Sequence, residues 1–502
     1  MRFLGKVGPE ACLAAILVCS NLAVGQQTSV TGTQGTTVAE LQEQLRQTQQ
    51  RLAESEGKLR ELSSVVEELQ RQVAAIRSVP APGTPSASAE VPQTQGEARI
   101  TPDEWQMLNT QVEEQRQSKV ESASKFRLKL SGLLLFNVFG NSGSVDEIDL
   151  PRVSYPKPPS ASDGSFGASL RQSIISLTGY GPTVGGARTS ADLQVDFLGG
   201  IPSGYYGYAS GIARLRLARM RLDWDKTSVI GGLDYLFFSP NSPTSYVSVA
   251  EPALASAGNL WTWTPTLRLE QRVNLGNVLW KFEGGILDYA GYTGYYTDVR
   301  YPTPGESSRQ PAYAIRISGN GHSEDRPISF GVAGVIAPQR YPGGNDVTGW
   351  GALLDWKAPV APHLELSGEF FGGKGLGGFG GLGLANAQSQ GFQYLAQTAP
   401  TIAKLGSVGG WSQLKVRADS RNEFNVAAGY GGLNSLDLRN ATVLNPSLDA
   451  IPAKNETLLV NYIFKPRSDL VFSVEYRRLK TARSSDEAYS ADHVGASAGF
   501  IF

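Results

Sequence analysis

The chain closes with Asp492-His493-Val494-Gly495-Ala496-Ser497-Ala498-Gly499-Phe500-Ile501-Phe502. Successive side chains of a strand point to opposite faces, so Val494, Ala496, Ala498, Phe500 and Phe502 share one of them. His493, Gly495, Ser497, Gly499 and Ile501 share the other. The first face is apolar and ends in two aromatic rings. The second is small and mixed.

The same period-two pattern extends upstream to Phe126. Sixteen segments show it, among them Phe126–Phe139, Arg188–Leu198, Ile212–Trp224, Thr262–Asn274, Ala312–Asn320 and Thr457–Phe464. Short connections at Asp225-Lys226, Leu275-Gly276-Asn277, Lys357 to Pro362, Asp419 to Asn422 and Lys465 to Asp469 alternate strictly with long ones. The long ones include Gly140 to Ser169, Ser239 to Trp261, Gly291 to Pro311, Gly372 to Gly410 and Leu433 to Glu456. An even strand count with turns on one side and loops on the other is the pattern of a transmembrane barrel. Residues 126–502 are therefore expected to form an all-β barrel of about 16 antiparallel strands.

Other architectures precede it. Arg2 and Lys6, the apolar run Ala11 to Val18 and the small-x-small triplet Ala23-Val24-Gly25 read as a signal peptide over 1–25. Both cysteines, Cys12 and Cys19, fall inside it, so the mature chain would hold no disulfide or thiolate site. Over 37–77 the positions Val38, Leu45, Leu52, Leu59, Val66 and Val73 alternate in a 3,4 pattern with Leu41, Thr48, Ser55, Leu62, Leu69 and Ile76. That seam predicts an α-helical coiled coil about 58 Å long. Residues 78–125 follow as a Pro/Ala/Ser-rich linker and a short helix opened by Thr101-Pro102-Asp103-Glu104.

Composition narrows the functions. Lys+Arg 45 against Asp+Glu 46 gives no bias toward nucleic acid, and 57 glycines with 46 aromatic residues (Tyr 19, Phe 19, Trp 8) suit loops and girdles. A mean hydropathy of -0.20 fits a barrel, in which lipid-facing and lumen-facing residues dilute one another. The three histidines, His322, His363 and His493, are scattered and make no metal or hydrolytic constellation. Gly372-Gly373-Lys374-Gly375 lacks the Gly-x4-Gly-Lys-Ser/Thr spacing of a phosphate loop and reads as a flexible extracellular loop. No enzyme, cofactor or metal is expected.

The ending at Phe500 and Phe502 resembles the membrane-assembly signal of Gram-negative outer-membrane barrels, which implies recognition by the barrel-assembly machinery. Arg214-Leu215-Arg216-Leu217-Ala218-Arg219, then Leu222-Asp223-Trp224, then Gly231-Gly232-Leu233-Asp234-Tyr235 and Phe237-Phe238-Ser239-Pro240 carry a narrower likeness. They resemble the strand–turn–strand that runs into the inward-folded third loop of phosphate-selective porins and dicarboxylate-channel trimeric porins. The resemblance implies a pore, an outer-membrane location in contact with lipid, and a homotrimer. Trp263-Thr264-Pro265-Thr266-Leu267-Arg268 is thinner in arginine than the matching family strand, so the solute stays open.

A barrel of this size leaves a water-filled lumen rather than a packed core, and its lining charges set selectivity. The face opposite the apolar one carries Arg268, Arg272, Arg316, Lys415 and Arg417, with acidic stripes elsewhere at Asp192, Asp196, Glu365 and Glu369. In the fourth strand Arg214 and Arg216 share one parity, Arg219 and Arg221 the other. Arginine in lipid costs about 2–4 kcal/mol near the midplane. Either a bulge near Ala218 returns all four to the lumen, or Arg214 and Arg216 sit at the headgroup level; the lumen arrangement is preferred. The expected function is passive diffusion of small hydrophilic, anionic solutes. The alternative is a structural anchor whose periplasmic coiled coil tethers the cell wall or a periplasmic partner.

Overall fold

A computed structural model of the chain describes residues 127–200, 211–289, 301–321, 328–341, 345–380, 392–395, 401–444 and 451–502. The expected signal peptide, coiled coil and linker, with both cysteines, lie outside the described residues.

Sixteen strand positions build the wall. They begin with β1 (Arg127–Ser142), β2 (in two parts, Gly164–Ser169 and Ile174–Tyr180), β3 (Arg188–Asp196), β4 (Arg214–Asp223) and β5 (Thr227–Tyr235). They continue as β6 (Trp263–Leu275), β7 (Val278–Leu287), β8 (Ala312–Gly321), β9 (Ser329–Tyr341), β10 (Asn345–Ala361) and β11 (Leu364–Lys374). The last are β12 (Gly406–Arg417), β13 (Asn422–Leu433), β14 (Pro452–Arg467), β15 (Leu470–Arg483) and β16 (Ala488–Ile501). Every strand pairs antiparallel with its chain neighbours, and β1 pairs with β16 from Leu133↔Ile501 to Ser142↔Asp492. The sheet is closed, which leaves no strand edge unpaired in an apolar phase.

Alternation divides each strand as its sequence predicts. On β16, Val494 and Phe500 are exposed while His493 and Ser497 are buried. On β6, Leu267 and Leu269 face out and Thr266, Arg268 and Glu270 face in. At the closing seam, the N–H of Gly132 donates to the carbonyl of Phe502 at 2.8 Å, and the N–H of Phe502 donates back at 3.1 Å. A Cβ on Gly132 would stand 2.6 Å from the Phe502 ring and 2.6 Å from the carbonyl of Ile174. Glycine leaves room for the terminal aromatic ring against β1.

Turn chemistry fixes the short end. Between β6 and β7, Gly276 takes φ 59°, a left-handed conformation that glycine adopts without strain. Between β12 and β13, Asp419 accepts from the Asn422 side chain and from the backbone N–H groups of Arg421 and Asn422. Those bonds hold its carboxyl below the ordinary range. The strict long–short alternation fails at two places. The β9–β10 and β15–β16 connections, 342–344 and 484–487, are short although they lie at the long-loop end. There, long strands replace long loops: β10 alone runs 17 residues.

The lumen is not simply water-filled. On β7 to β11 the inward positions Leu287, Ala312, Ala314, Val335, Ala337, Leu353 and Phe371 are apolar and pack on Phe237, Phe238, Leu260, Leu376 and Phe379. Burying the Leu, Val and Phe side chains among them stabilises by about 1.5–3 kcal/mol each. Small alanines on the wall leave room for the phenyl rings, so this sector of the lumen is a dry core. The glycine-rich segment after β11 belongs to it: Gly377–Phe379 forms a 3-10 turn that drives Leu376 and Phe379 into full burial. The expectation of a flexible loop there is corrected.

Candidate functional site

The third loop, 236–262, folds inside the barrel, and its contacts trace the path. Ser239 donates to Glu369 of β11 and Asn241 to Asp355 of β10. The N–H of Thr244 donates to Gln413 of β12, and the Thr244 carbonyl accepts from Asn461 of β14. Ser245 donates to Glu475 of β15, and Gln172, in the break of β2, donates to the Val247 carbonyl. Arg216 and Arg214 of β4 then donate to the carbonyls of Val249 and Ala250, both at 3.1 Å. A loop leaving β5 can touch inward residues of β10, β11, β12, β14, β15, β2 and β4 only from within.

Its return limb is pressed against the wall. Gly258, at φ +91°, stands where a Cβ would meet the carbonyl of Gly410 at 2.2 Å, and a Cβ on Gly429 would meet the carbonyl of Ala257 at 2.1 Å. Glycines on both sides permit this backbone-to-backbone approach.

The four arginines of β4 all point inward. The ladder pairs Gln194 with Leu217 and Val195 with Leu215, so Arg216 is the extra residue of a bulge. The bulge lies at Arg216 rather than at Ala218. Leu215 and Met220 are left exposed on the outside, and Arg216 is buried. Arg214 reaches Asp196 at 2.9 Å and Arg216 the same carboxylate at 3.5 Å. Arg219 binds Asp192 at 3.1 Å and Asp234 at 2.8 Å; Arg221 binds Asp223 at 2.7 Å.

The remaining sequence-selected cations also lie on the inner face, and each has an acidic partner. Arg268 binds Asp234 at 2.7 Å and Glu270 at 3.2 Å, while Arg272 meets Glu270 at 3.6 Å. Arg316 binds Asp355 at 2.8 Å and Glu283 at 3.1 Å. Lys415 meets Glu423 at 3.5 Å, and Arg417 meets Glu365 at 3.3 Å. Asp192 and Asp196 therefore do not form a stripe elsewhere; they interleave with the β4 arginines. The wall is a ladder of alternating charge. Arg219, Arg221 and Arg272 keep about a quarter of their side-chain surface accessible.

Sequence reading passed over the first loop, 143–163. It too folds in, and Leu150, Val153 and Ser154 are buried. Asn455 of β14 donates to the Arg152 carbonyl and to that of Ser256, tying first and third loops to one wall residue. Arg171, in the β2 break, binds Asp149 and Glu147, each at 3.0 Å. Arg152 binds Asp146 at 2.7 Å and Glu251 of the third loop at 3.1 Å. Burial opposes the Arg152 charge, but Glu251 and Asp146 outweigh it and hold its pKa above the ordinary value. Burial pushes the Glu251 carboxyl upward against the pull of Arg152 and Arg214. Guanidinium groups at 3.1 and 3.6 Å stabilise its charged form against that burial. Acidic residues in a loop carry no periodicity, so no sequence signal singled these out.

On the inner face of β16, His493 is buried with Nδ1 2.8 Å from Asn141 Oδ1. No three His, Cys, Asp or Glu side chains group as a metal site among the described residues.

A closed antiparallel barrel of sixteen strands, with its third loop folded inward, is the fold of the Gram-negative outer-membrane porins. Among solved structures it is shared with the outer membrane channel DcaP of Acinetobacter baumannii, at 17% identity and TM-score 0.60, covering 77% of this chain and 100% of that one. An anion-selective porin from Comamonas acidovorans aligns at 13% identity and TM-score 0.47, covering 75% of this chain and 100% of that one. OprB of Pseudomonas putida aligns at 11% and TM-score 0.47, covering 79% of this chain and 97% of that one. No family model and no curated protein matches the sequence.

Proposed function

We propose that this chain is an outer-membrane porin through which small hydrophilic solutes diffuse passively. The observation that carries it is the inward third loop facing a wall of partly accessible charges, Arg219, Arg221 and Arg272 among them. An exposed ladder of fixed charge inside a closed barrel is useful where water and solutes pass, since charge facing a dry core would be costly. The preference is anionic and modest. Arg214, Arg216, Arg219, Arg221, Arg268, Arg272, Arg316, Lys415 and Arg417 supply it, and their carboxylate partners offset most of it. The barrel resides in the outer membrane, with Phe500 and Phe502 as its assembly signal, and three copies associate.

A second reading is favoured by the dry sector beside β7 to β11: a barrel whose lumen is largely filled would serve as an anchor for the 37–77 segment. Planar-bilayer recording separates the two. Steady conductance with a reversal potential displaced toward chloride supports the porin, and a folded barrel without conductance supports the anchor. Liposome swelling across sugars, phosphate and dicarboxylates then ranks the solutes.

A further inference from the structure

The carboxylate of Glu251, at the third loop, divides between two elements. Oε2 meets Arg152 Nη1 of the first loop at 3.1 Å, and Oε1 meets Arg214 Nη1 of β4 at 3.6 Å. Arg152 is further tied to Asp146 at 2.7 Å, and Arg214 to Asp196 at 2.9 Å. Asp196 also takes Arg216 at 3.5 Å. Three guanidinium groups and three carboxylates thus form one chain: Asp146, Arg152, Glu251, Arg214, Asp196, Arg216. It joins both inward loops to the wall. Its charges cancel, yet exposure is uneven. Arg214 keeps 23% of its side chain accessible, against 7% for Glu251 and none for Asp196. Arg214 is the most accessible member of the chain, and the buried carboxylates behind it set its effective charge.

We propose that Arg152 and Glu251 are specificity-determining residues of the pore: the first loop, through Arg152, holds part of the Glu251 charge away from Arg214 and so sets how positive that arginine looks to a passing ion. This rests on the porin reading and deepens it. Removing the Glu251 charge leaves the chain at one net positive; removing the Arg152 charge leaves it at one net negative and gives the carboxylate wholly to Arg214. The two changes act in opposite senses although both break the same 3.1 Å contact. A merely structural bond would give the same effect from either side.

The experiment is reversal-potential measurement on the full-length protein in a potassium chloride gradient, with Glu251→Gln, Arg152→Gln and the double variant. Glu251→Gln shifts the permeability ratio toward chloride and Arg152→Gln toward potassium. Each shift is roughly sixfold, the square of the ~2.4-fold Boltzmann factor for one unit charge about 8 Å away across water, since the charge acts with opposite sign on chloride and potassium. The double variant, neutral again, returns close to the parent. If either single does not fold, Asp146→Asn gives the same net positive chain and is expected to shift toward chloride. Singles that move together, a double that does not return, or conducting variants with the parent's ratio overturn the inference. A folded parent barrel that carries no current overturns the porin reading itself, and this one with it.

Discussion

Gly132 and Phe502 show how one side chain closes a barrel. The Phe502 ring occupies the space a Cβ on Gly132 would fill, while their backbones exchange two hydrogen bonds. Gly132→Val is expected to displace the ring and lower the yield of heat-modifiable, folded barrel on a gel, and Phe502→Ala to restore folding only in part. Asp196 marks another decisive position: it is fully buried and holds both Arg214 and Arg216. Asp196→Ala leaves the buried Arg216 without its carboxylate and Arg214 with only Glu251 at 3.6 Å, and breaking a buried pair this way costs about 3–5 kcal/mol. The thermal unfolding midpoint in detergent reports it; an unchanged midpoint would mean that Glu251 and the loop carbonyls suffice. These residues were legible to different degrees. The face of Phe502 follows from parity alone. The partner of Arg216 does not, because Asp196 lies on another strand and is reached only after a bulge.

At the scale of elements, β4 turns on its extra residue. Deleting Arg216 leaves Leu217 and Leu215 opposite Gln194 and Val195 in an unbroken ladder, with Arg214 still opposite Asp196. That deletion is expected to be tolerated. Deleting Met220 lets the bulge absorb the change but turns Arg219 to the lipid face, at a cost of about 2–4 kcal/mol if it lies near the midplane. Chemical unfolding of the two deletion variants compares them directly; equal stability would rule out this account of the strand. The third loop is the other decisive element. Gly429→Val would drive a side chain into the Ala257 carbonyl, lifting the return limb off β12 and β13 and into the lumen. Single-channel conductance is expected to fall or become noisy. The sequence revealed the arginine density and the need for a bulge. It did not reveal that the bulge sits at Arg216, because the strain that selects one position depends on where the neighbouring strand and the loop already lie.

For the whole molecule, the proposed coiled coil over 37–77 would need its seam buried, and the proposed parallel homotrimer would bury it with three barrels in one membrane. Removing 37–77 is expected to leave barrels that still insert and conduct, while mass measurement in detergent on the intact protein gives three copies; a monomer would defeat both the seam and the trimer. Strand number and the facing of the regular strands were determined by the sequence itself, because a local alternation of two residues needs no distant partner. Connection length failed after β9 and β15, and β4 faced all its arginines inward only through a bulge. Tertiary structure alone decided which carboxylate answers each arginine, that a sector of the lumen is dry, and that the first loop and the segment after β11 fold inward along with the third loop. Arg152 and Glu251 are 99 residues apart, and Ser245 and Glu475 are 230. Closing the sheet brings such groups within a few ångströms, and once inside, an unpaired charge or an unfilled void is costly enough that the wall and the loops must fit one another.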